Sequence, residues 1–156
     1  MTVADRLVAL LKAQGLTCAT AESCTGGGVG AAITAVPGSS AVFLGGVISY
    51  ANAVKRDVLG VSPATLETVG AVSPETAAQM ADGARRLLKA DLAVSVTGIA
   101  GPDGGSAAKP VGLVWFGLAT KDGVRTEKAI FVGDRAAVRA QAVTHALGML
   151  TAGAMA

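Results

Sequence analysis

The stretch that decides the fold is Ala19-Thr20-Ala21-Glu22-Ser23-Cys24-Thr25-Gly26-Gly27-Gly28-Val29-Gly30. A short apolar run, residues 16–21, leads into it and predicts a buried strand. A polar turn follows, and the small residues from Gly26 to Ala35 then favour a helix. Backbone N–H groups at a helix start have no intrahelical partner, so strand–turn–helix units of this kind bind anions and nucleotides. We therefore predict that the turn from Glu22 to Thr25 is the active-site turn of an α/β protein.

The composition favours a single domain, residues 1–156, with a core of small side chains. Half of the chain, 51%, is hydrophobic, yet only one tryptophan, one tyrosine and three phenylalanines contribute to it. A core of small side chains, together with 21 glycines, suits close packing of helices on a sheet. The 13 basic and 11 acidic residues nearly cancel, and aromatic residues are too few to stack on bases. A nucleic-acid surface is therefore not expected.

The cysteine and histidine content argues against a metal centre. Cys18 and Cys24 lie six residues apart, His145 is the only histidine, and this spacing matches no metal or redox motif. The first residues lack the charged-then-apolar pattern of a signal peptide, and no apolar run is long enough to cross a bilayer. We expect a cytoplasmic protein with no metal, no cofactor and no membrane partner.

Periodicity and turn residues outline the other elements. The predicted strands are residues 43–50, interrupted by Gly45-Gly46, then residues 92–97, then a hairpin of residues 111–120 and 124–132. The predicted helices are one ending at Gly15, one from an Asn52 cap to Gly60, one beginning at Ser62-Pro63, one from Pro74 to Ala90 and one from Asp134 to about Leu150. The long helix would bury Ala77, Met80, Ala81, Ala84, Leu87 and Leu88. This order predicts a three-layer α/β/α sandwich around a mixed, mostly parallel sheet with a late β-hairpin.

Three polar or glycine-rich segments follow predicted strands. They are residues 23–28, 50–55 and 97–105. Ligands of open α/β sheets bind in the crevice beyond the carboxyl ends of the strands. If these strands are parallel neighbours, the three segments share that crevice and form one site.

Ser23 is a candidate nucleophile, and it needs a base. The only histidine, His145, falls late in a helix, so Lys55 is the better partner, since serine–lysine pairs are a known variant of the catalytic triad. A lysine acts as a base only when its pKa lies well below its ordinary value of about 10.4. Tyr50 is placed to relay a proton or to hold Lys55 by a hydrogen bond. Cys24 is a rival nucleophile, because a thiolate needs less activation.

The short motifs leave the reaction open. The turn contains no G-x-S-x-G, no Walker-type G-x-x-x-x-G-K-[ST] and no clean G-x-G-x-x-G. The residues alone therefore indicate a phosphate or nucleotide site, with hydrolysis as one option.

Five segments taken together point to a family. They are Ala21-Glu22-Ser23-Cys24-Thr25-Gly26-Gly27, then Ser49-Tyr50-Ala51-Asn52 with Lys55, then Thr97-Gly98-Ile99-Ala100-Gly101-Pro102-Asp103-Gly104-Gly105, then Lys109-Pro110-Val111-Gly112, then Gly133-Asp134-Arg135 with Arg139. In this order they resemble the CinA C-terminal-domain family, whose enzymatic members are nicotinamide-nucleotide amidases. The resemblance runs from about Leu7 to Leu150. Because no large domain comes before it, the chain resembles the stand-alone amidase rather than the longer two-domain protein.

The resemblance implies hydrolysis of nicotinamide mononucleotide to nicotinic acid mononucleotide and ammonia. Ser23 matches the family's nucleophile, Lys55 its general base and Tyr50 its tyrosine partner. Thr97 matches a substrate-contacting position. Arg135 best matches the arginine near the ligand, with Arg139 as a rival.

The expected mechanism passes through a serine acyl-enzyme whose oxyanion is bound by N–H groups of the glycine-rich turn. The substrate phosphate would lie on a helix N-terminus or a glycine nest, helped by an arginine. The predicted substrate-binding residues are Thr25, Gly26, Gly27, Thr97, Gly98, Gly101 and Arg135. The partners expected are a small-molecule nucleotide and further copies of the chain in a homo-oligomer. The alternative is a nucleotide-binding regulatory module without turnover.

Overall fold

The computed structural model describes residues 1–156, which form five strands and six α-helices. In chain order the elements are α1 (Val3–Gln14), β1 (Cys18–Glu22), α2 (Gly28–Thr34), β2 (Phe43–Ile48), α3 (Asn52–Asp57), α4 (Pro63–Thr68), α5 (Pro74–Leu88), β3 (Leu92–Gly98), β4 (Leu113–Thr120), β5 (Gly123–Ile130) and α6 (Arg135–Met155). A short 3-10 turn, Ser39–Ala41, leads into β2. None of the helices combines the length and hydrophobicity that crossing a lipid bilayer requires.

The five strands form one mixed sheet in the order β2-β1-β3-β4-β5. Strand β1 is parallel to both neighbours, β2 and β3, while β4 is antiparallel to β3 and to β5. Helices α1, α2 and α6 cover one face of the sheet, and their apolar side chains form the larger core cluster. Helix α5 and the segment after α3 cover the other face with a smaller cluster. The predicted α/β/α sandwich with a late hairpin is confirmed.

The carboxyl ends of the parallel strands lie at one edge of the sheet. Cys18 of β1 pairs with Phe43 of β2 and with Leu92 of β3, and Glu22 pairs with Ile48 and Val96. The segments that follow the three strands therefore begin side by side. This register brings residues 23–28, 50–55 and the loop after residue 98 to the same edge.

The glycine pair in β2 marks a bulge, as the sequence predicts. The register between β1 and β2 skips Leu44, so that Ala19 pairs with Gly45. A Cβ at Gly46 would lie 2.0 Å from the Thr20 hydroxyl oxygen, so only glycine allows this close approach.

Several element ends differ from the prediction. Asn52 is the first residue of α3, and Ala51 occupies the cap position without a side-chain hydrogen bond. Leu87 is 52% exposed, whereas Leu88 in the same turn is half-buried against the smaller core cluster. Helix α6 continues past Leu150 to Met155. The predicted caps at Gly15 and Ser73 are confirmed, the first in the left-handed conformation and the second accepting the Thr76 N–H.

Gly83 lets α5 contact the segment that follows α3. A Cβ at position 83 would lie 1.9 Å from the Leu59 carbonyl oxygen, a main-chain atom that cannot rotate away. The same segment is tied to α3 by a hydrogen bond from the Val61 N–H to the Lys55 carbonyl. The contact at Gly83 therefore helps to hold α3 against the sheet.

We predict that Gly83→Ala lowers the free energy of unfolding by about 1–3 kcal/mol, because the added methyl overpacks a main-chain contact. The matched control is Gly148→Ala in α6, where an added Cβ meets nothing within 4 Å. That change should stabilise the fold by roughly 0.5–1 kcal/mol through helix propensity. Urea unfolding of both variants checks the pair, and equal effects of the same sign would contradict the packing argument.

Candidate active site

The structure brings Ser23 and Lys55 together at the carboxyl edge of the sheet. The Lys55 Nζ lies 3.1 Å from the Ser23 Oγ and 2.9 Å from the Tyr50 carbonyl oxygen. The Lys55 residue is 1% exposed, and Ser23 is buried as well. A hydroxyl and an amine at hydrogen-bond distance form the nucleophile–base arrangement of serine–lysine hydrolases.

Main-chain hydrogen bonds of the sheet position the two side chains. The Ser23 N–H donates to the Val96 carbonyl at 2.9 Å, so Ser23 is held by β3 just past the end of β1. The Ser49 N–H donates to the Glu22 carbonyl at 2.7 Å, which fixes the exit from β2. Helix α3 begins three residues later and directs Lys55 back toward the end of β1.

Burial lowers the pKa of Lys55 from its ordinary value of 10.5. Desolvation disfavours the charged ammonium, while the charge that Cys24 can carry opposes this effect to a lesser degree. The lysine forms no ion pair, and its two hydrogen-bond partners, a hydroxyl and a carbonyl, are uncharged. The site therefore favours the neutral amine that a general base requires.

Cys24 lines the same site, but its environment disfavours a thiolate. Burial raises the pKa of Cys24 to about 11, which keeps the thiol protonated at neutral pH. Burial also raises the pKa of Cys18 to about 12, and Cys18 belongs to the hydrophobic core. The thiolate is the nucleophilic form of cysteine, so the geometry favours Ser23 over Cys24.

Glu22 binds the start of α2 from within the protein. Its carboxylate accepts hydrogen bonds from the Thr25 hydroxyl at 2.6 Å, the Val29 N–H at 2.8 Å and the Gly30 N–H at 3.0 Å. These N–H groups of α2 are therefore not free to bind a substrate phosphate, and the expected phosphate site at a helix N-terminus or a glycine nest stays a prediction for other main-chain donors. The Thr25 hydroxyl is directed to Glu22 as well, so only the main chain of Thr25 remains to contact a ligand.

The turn that carries Ser23 still contains free main-chain donors. The Gly26 N–H donates to the Ser23 carbonyl and the Gly28 N–H to the Thr25 carbonyl, whereas the N–H groups of Cys24, Thr25 and Gly27 have no acceptor in the protein. Gly26 and Gly27 have φ values of 59° and 103°, which explains the need for glycine in this turn. Cys24 and Thr25 are 5% and 1% exposed, and unpaired donors in such buried residues are rare.

Tyr50 contacts Lys55 through its main chain rather than its hydroxyl. The Tyr50 residue is 63% exposed, and its phenol oxygen lies 3.4 Å from Arg135 Nη2. The expected hydrogen bond between Tyr50 and Lys55 is therefore present, with the Tyr50 carbonyl as its acceptor. The tyrosine ring instead lies at the rim of the site.

The two candidate arginines lie in different places. Arg135 Nη1 donates to the Gly101 carbonyl at 2.9 Å, and its side chain lines the cavity that contains Ser23 and Lys55. Arg139, one turn later in α6, donates from Nε to the Cys24 carbonyl at 3.0 Å and from Nη2 to the Thr25 carbonyl at 3.2 Å. Arg135 thus lines the cavity, whereas Arg139 binds main-chain carbonyls of the turn that carries Ser23.

A cavity of about 200 Å³ lies over the Ser23–Lys55 pair. Its lining residues are Ser23, Cys24, Tyr50, Asn52, Lys55, Ala71, Val72, Thr97, Gly98, Ala100 and Arg135. The Thr97 hydroxyl donates to the Ala71 carbonyl at 2.8 Å and so joins two walls of this cavity. Asn52 belongs to the predicted segment 50–55, whereas Ala71 and Val72 lie outside the predicted segments, because they carry no polar side chain that signals a site.

Other candidate positions lie away from the pair. Two larger hollows, of about 740 and 470 Å³, contain neither Ser23 nor Lys55. His145 stacks on Phe116 with ring centroids 4.2 Å apart, and its Nε2 lies 3.1 Å from a Glu127 carboxylate oxygen. This histidine therefore stabilises the packing of α6 on the sheet. The structure contains no cluster of three or more histidine, cysteine or acidic side chains suited to a metal ion.

Comparison with known proteins agrees with the resemblance seen in the sequence. The family model described as the CinA C-terminal domain matches residues 1–153. The nicotinamide-nucleotide amidohydrolase PncC of Enterobacter agglomerans is 57% identical over 140 residues, which are 89% of this chain and 85% of that protein. A putative competence-damage inducible protein of Halothermothrix orenii is 60% identical over 132 residues, which are 84% of this chain. The chain spans only about a third, 32%, of the length of that relative.

Solved structures show the same fold. The crystal structure of the competence/damage inducible protein CihA from Agrobacterium tumefaciens superimposes with a TM-score of 0.94 at 47% sequence identity. The match covers 96% of this chain and 92% of the other. The sequence resemblance to this family is therefore confirmed.

We predict that Lys55→Met does not lower the unfolding midpoint at pH 7. Because the pKa of Lys55 is lowered in the folded protein, the unfolded chain binds more protons in the pH window between this lowered pKa and 10.5. Lys55 therefore makes the free energy of unfolding increase as the pH rises through this window. The methionine variant should lack this increase. The control variant is Lys121→Met, at an exposed lysine, and it should keep the pH dependence of the native protein. Chemical unfolding of the three proteins at pH 7 and pH 9.5 measures the difference, and identical pH dependence in all three would contradict a buried neutral amine.

Proposed function

This chain belongs to the CinA C-terminal domain family, and we propose that it is an amidase that converts nicotinamide mononucleotide to nicotinic acid mononucleotide and ammonia. The observation that carries the proposal is the buried Ser23–Lys55 pair, 3.1 Å apart, at the floor of a cavity. The substrate follows from relatives named nicotinamide-nucleotide amidohydrolases, of which this chain covers nearly the whole length. The reaction would return nicotinamide nucleotide to pyridine nucleotide synthesis.

In the first step Lys55 takes the proton of the Ser23 hydroxyl, and the Oγ attacks the carboxamide carbon. The carbonyl oxygen becomes an oxyanion, which accepts hydrogen bonds from the free N–H groups of the turn at Cys24, Thr25 and Gly27. These donors are fixed before the substrate arrives, so little reorganisation is needed as the charge develops.

In the second step the tetrahedral intermediate collapses. The bond from the carboxamide carbon to nitrogen breaks, Lys55 returns its proton to the nitrogen, and ammonia leaves. Water then attacks the acyl-enzyme, with Lys55 again accepting a proton, and nicotinic acid mononucleotide is released from the restored Ser23 hydroxyl. The main-chain carbonyl of Tyr50 keeps the Lys55 amine oriented toward the serine throughout.

The cavity fits the reacting end of this substrate. Its volume, about 200 Å³, is below the roughly 300–1,000 Å³ common for complete drug-sized ligands. We infer that it holds the ring and the carboxamide against Thr97 and Gly98, and that the ribose and phosphate extend past the rim. There the exposed Arg135 and Tyr50 are placed to bind them, with Gly101 holding the arginine.

Other features of the chain stay predictions. These are one domain over residues 1–156, a homo-oligomer and a cytoplasmic location. The oligomeric state can be measured by light scattering of the purified chain.

We predict that the purified protein releases ammonia from nicotinamide mononucleotide and that Ser23→Ala lowers kcat by at least about 1,000-fold, because the attacking atom is removed. Cys24→Ala should keep kcat within about threefold, since its thiol is protonated. A coupled ammonia assay checks both. Activity that survives in Ser23→Ala and is lost in Cys24→Ala would instead identify the thiol as the nucleophile. Binding of the nucleotide without any ammonia release would favour a regulatory module.

The pH dependence gives an independent test of the base. Lys55 is active when neutral, so kcat/KM should fall as pH decreases through the pKa of Lys55 and should level off above it. Burial lowers this pKa, so the midpoint should lie below 10.5. A pH–rate profile measured from pH 5 to pH 10 checks this. A rate that falls with increasing pH across that range would rule out a neutral lysine.

A further inference from the structure

Arg139 holds the outer side of the turn that carries the nucleophile. Its guanidinium donates to two successive carbonyls, those of Cys24 and Thr25. The planar fork of an arginine suits two acceptors in one plane, and a side chain bound twice is well fixed. Arg139 comes from α6, so this contact ties the turn after β1 to the last helix.

The contact sets the direction of a main-chain donor. The peptide between Cys24 and Thr25 is trans, since the only cis peptide in the chain joins Gly101 and Pro102. In a trans peptide the C=O and the N–H point in opposite directions. Anchoring the Cys24 carbonyl to Arg139 therefore directs the Thr25 N–H away from that arginine, and this is one of the donors without an acceptor.

The Thr25 carbonyl is fixed in the same way. It accepts hydrogen bonds from Arg139 Nη2 and from the Gly28 N–H at 2.9 Å. On the other side of this peptide, the Gly26 N–H donates to the Ser23 carbonyl at 3.1 Å. The Thr25–Gly26 peptide is thus held between Arg139 and the main chain of the turn, whereas the Cys24–Thr25 peptide is held through its carbonyl by Arg139 alone.

The two arginines of α6 consequently have different tasks. The Arg139 Nε and Nη2 atoms are already used by the turn, and Arg139 is not among the residues that line the cavity. Arg135 lines the cavity, and only single hydrogen bonds to Gly101 and Tyr50 engage its guanidinium.

We propose that Arg139 is a positioning residue that holds the Cys24–Thr25 peptide so that its N–H faces the oxyanion, and that it does not bind the substrate phosphate. This inference rests on the proposed amidase function. It assigns stabilisation of the transition state to Arg139 and ground-state binding of the nucleotide to Arg135.

The test compares Arg139→Ala, Arg139→Lys and Arg135→Ala with native protein in the ammonia assay. Arg139→Ala should lower kcat by about 10- to 100-fold with KM changed less than about threefold, a smaller loss than removal of an oxyanion donor itself. Arg139→Lys should recover part of kcat, because an ammonium can still donate to one carbonyl. Arg135→Ala should mainly raise KM. The control is Arg86→Gln, which removes an exposed arginine paired only with Asp82 and should change neither constant.

A second measurement separates positioning from a general loss of folded protein. The 3-carboxaldehyde analogue of the mononucleotide can add to Ser23 and form a tetrahedral adduct with an oxyanion. Its inhibition constant should rise in Arg139→Ala by about the same factor as kcat falls, while the inhibition constant of nicotinic acid mononucleotide stays unchanged.

Each outcome decides the inference. Parallel losses of kcat and of aldehyde affinity support it. A raised KM with unchanged kcat would make Arg139 a substrate ligand and overturn it, as would an unchanged enzyme or a lower kcat with unchanged aldehyde affinity. If native protein releases no ammonia and does not bind the aldehyde, the proposed function fails first and the inference fails with it.

Discussion

The burial of one amine beside one hydroxyl is the constraint on which the rest of this structure depends. Lys55 has no charged partner, and its hydrogen bonds are to the Ser23 hydroxyl and the Tyr50 carbonyl. A charged lysine is costly in such a place, so burial lowers the pKa of Lys55 and favours the neutral amine at the expense of stability. The order β1, β2, α3 brings the two residues together, because parallel strands end at the same edge of the sheet. The close contact of α5 at Gly83 then holds the segment behind α3.

The Glu22 carboxylate occupies the main-chain donors at the start of α2, so other donors of the turn are left for a ligand. Strand–turn–helix units commonly offer the helix start to a ligand. Here the carboxylate of Glu22, the residue just before Ser23, accepts hydrogen bonds from the N–H groups of Val29 and Gly30. The helix start is therefore used to fix the turn, and the free donors lie earlier, beside Ser23. Donors at this position can meet charge that develops on the reacting carbonyl, whereas donors at the helix start would meet a distant phosphate.

The fold could be predicted because its signals are local, whereas the Ser23–Lys55 pair depended on the expectation that parallel strands end side by side and on the family resemblance. The apolar run before Ser23, the glycines after it and the Ser73-Pro74 helix start each specify an element by backbone geometry alone. The role of Glu22 and the split between Arg135 and Arg139 depend on contacts between residues far apart in the chain, which spacing does not reveal. The sequence predicts the contact of Tyr50 with Lys55 but not its atoms, because the chain leaves β2 at Ile48 and the Tyr50 ring is exposed while its carbonyl accepts from Lys55.

The small size of the cavity bears on how the proposed enzyme distinguishes a nucleotide from free nicotinamide. Both molecules carry the same ring and carboxamide, so the floor around Ser23, Lys55 and Thr97 treats them alike. In the proposed enzyme, discrimination would then come from the rim, where the Arg135 guanidinium is placed to bind the phosphate. Binding energy gained at the rim is useful for catalysis only if it holds the carboxamide against donors that are already in place. Fixing the donor turn from α6, the helix that also supplies Arg135, satisfies this requirement, because one rigid element then sets both the phosphate and the oxyanion positions.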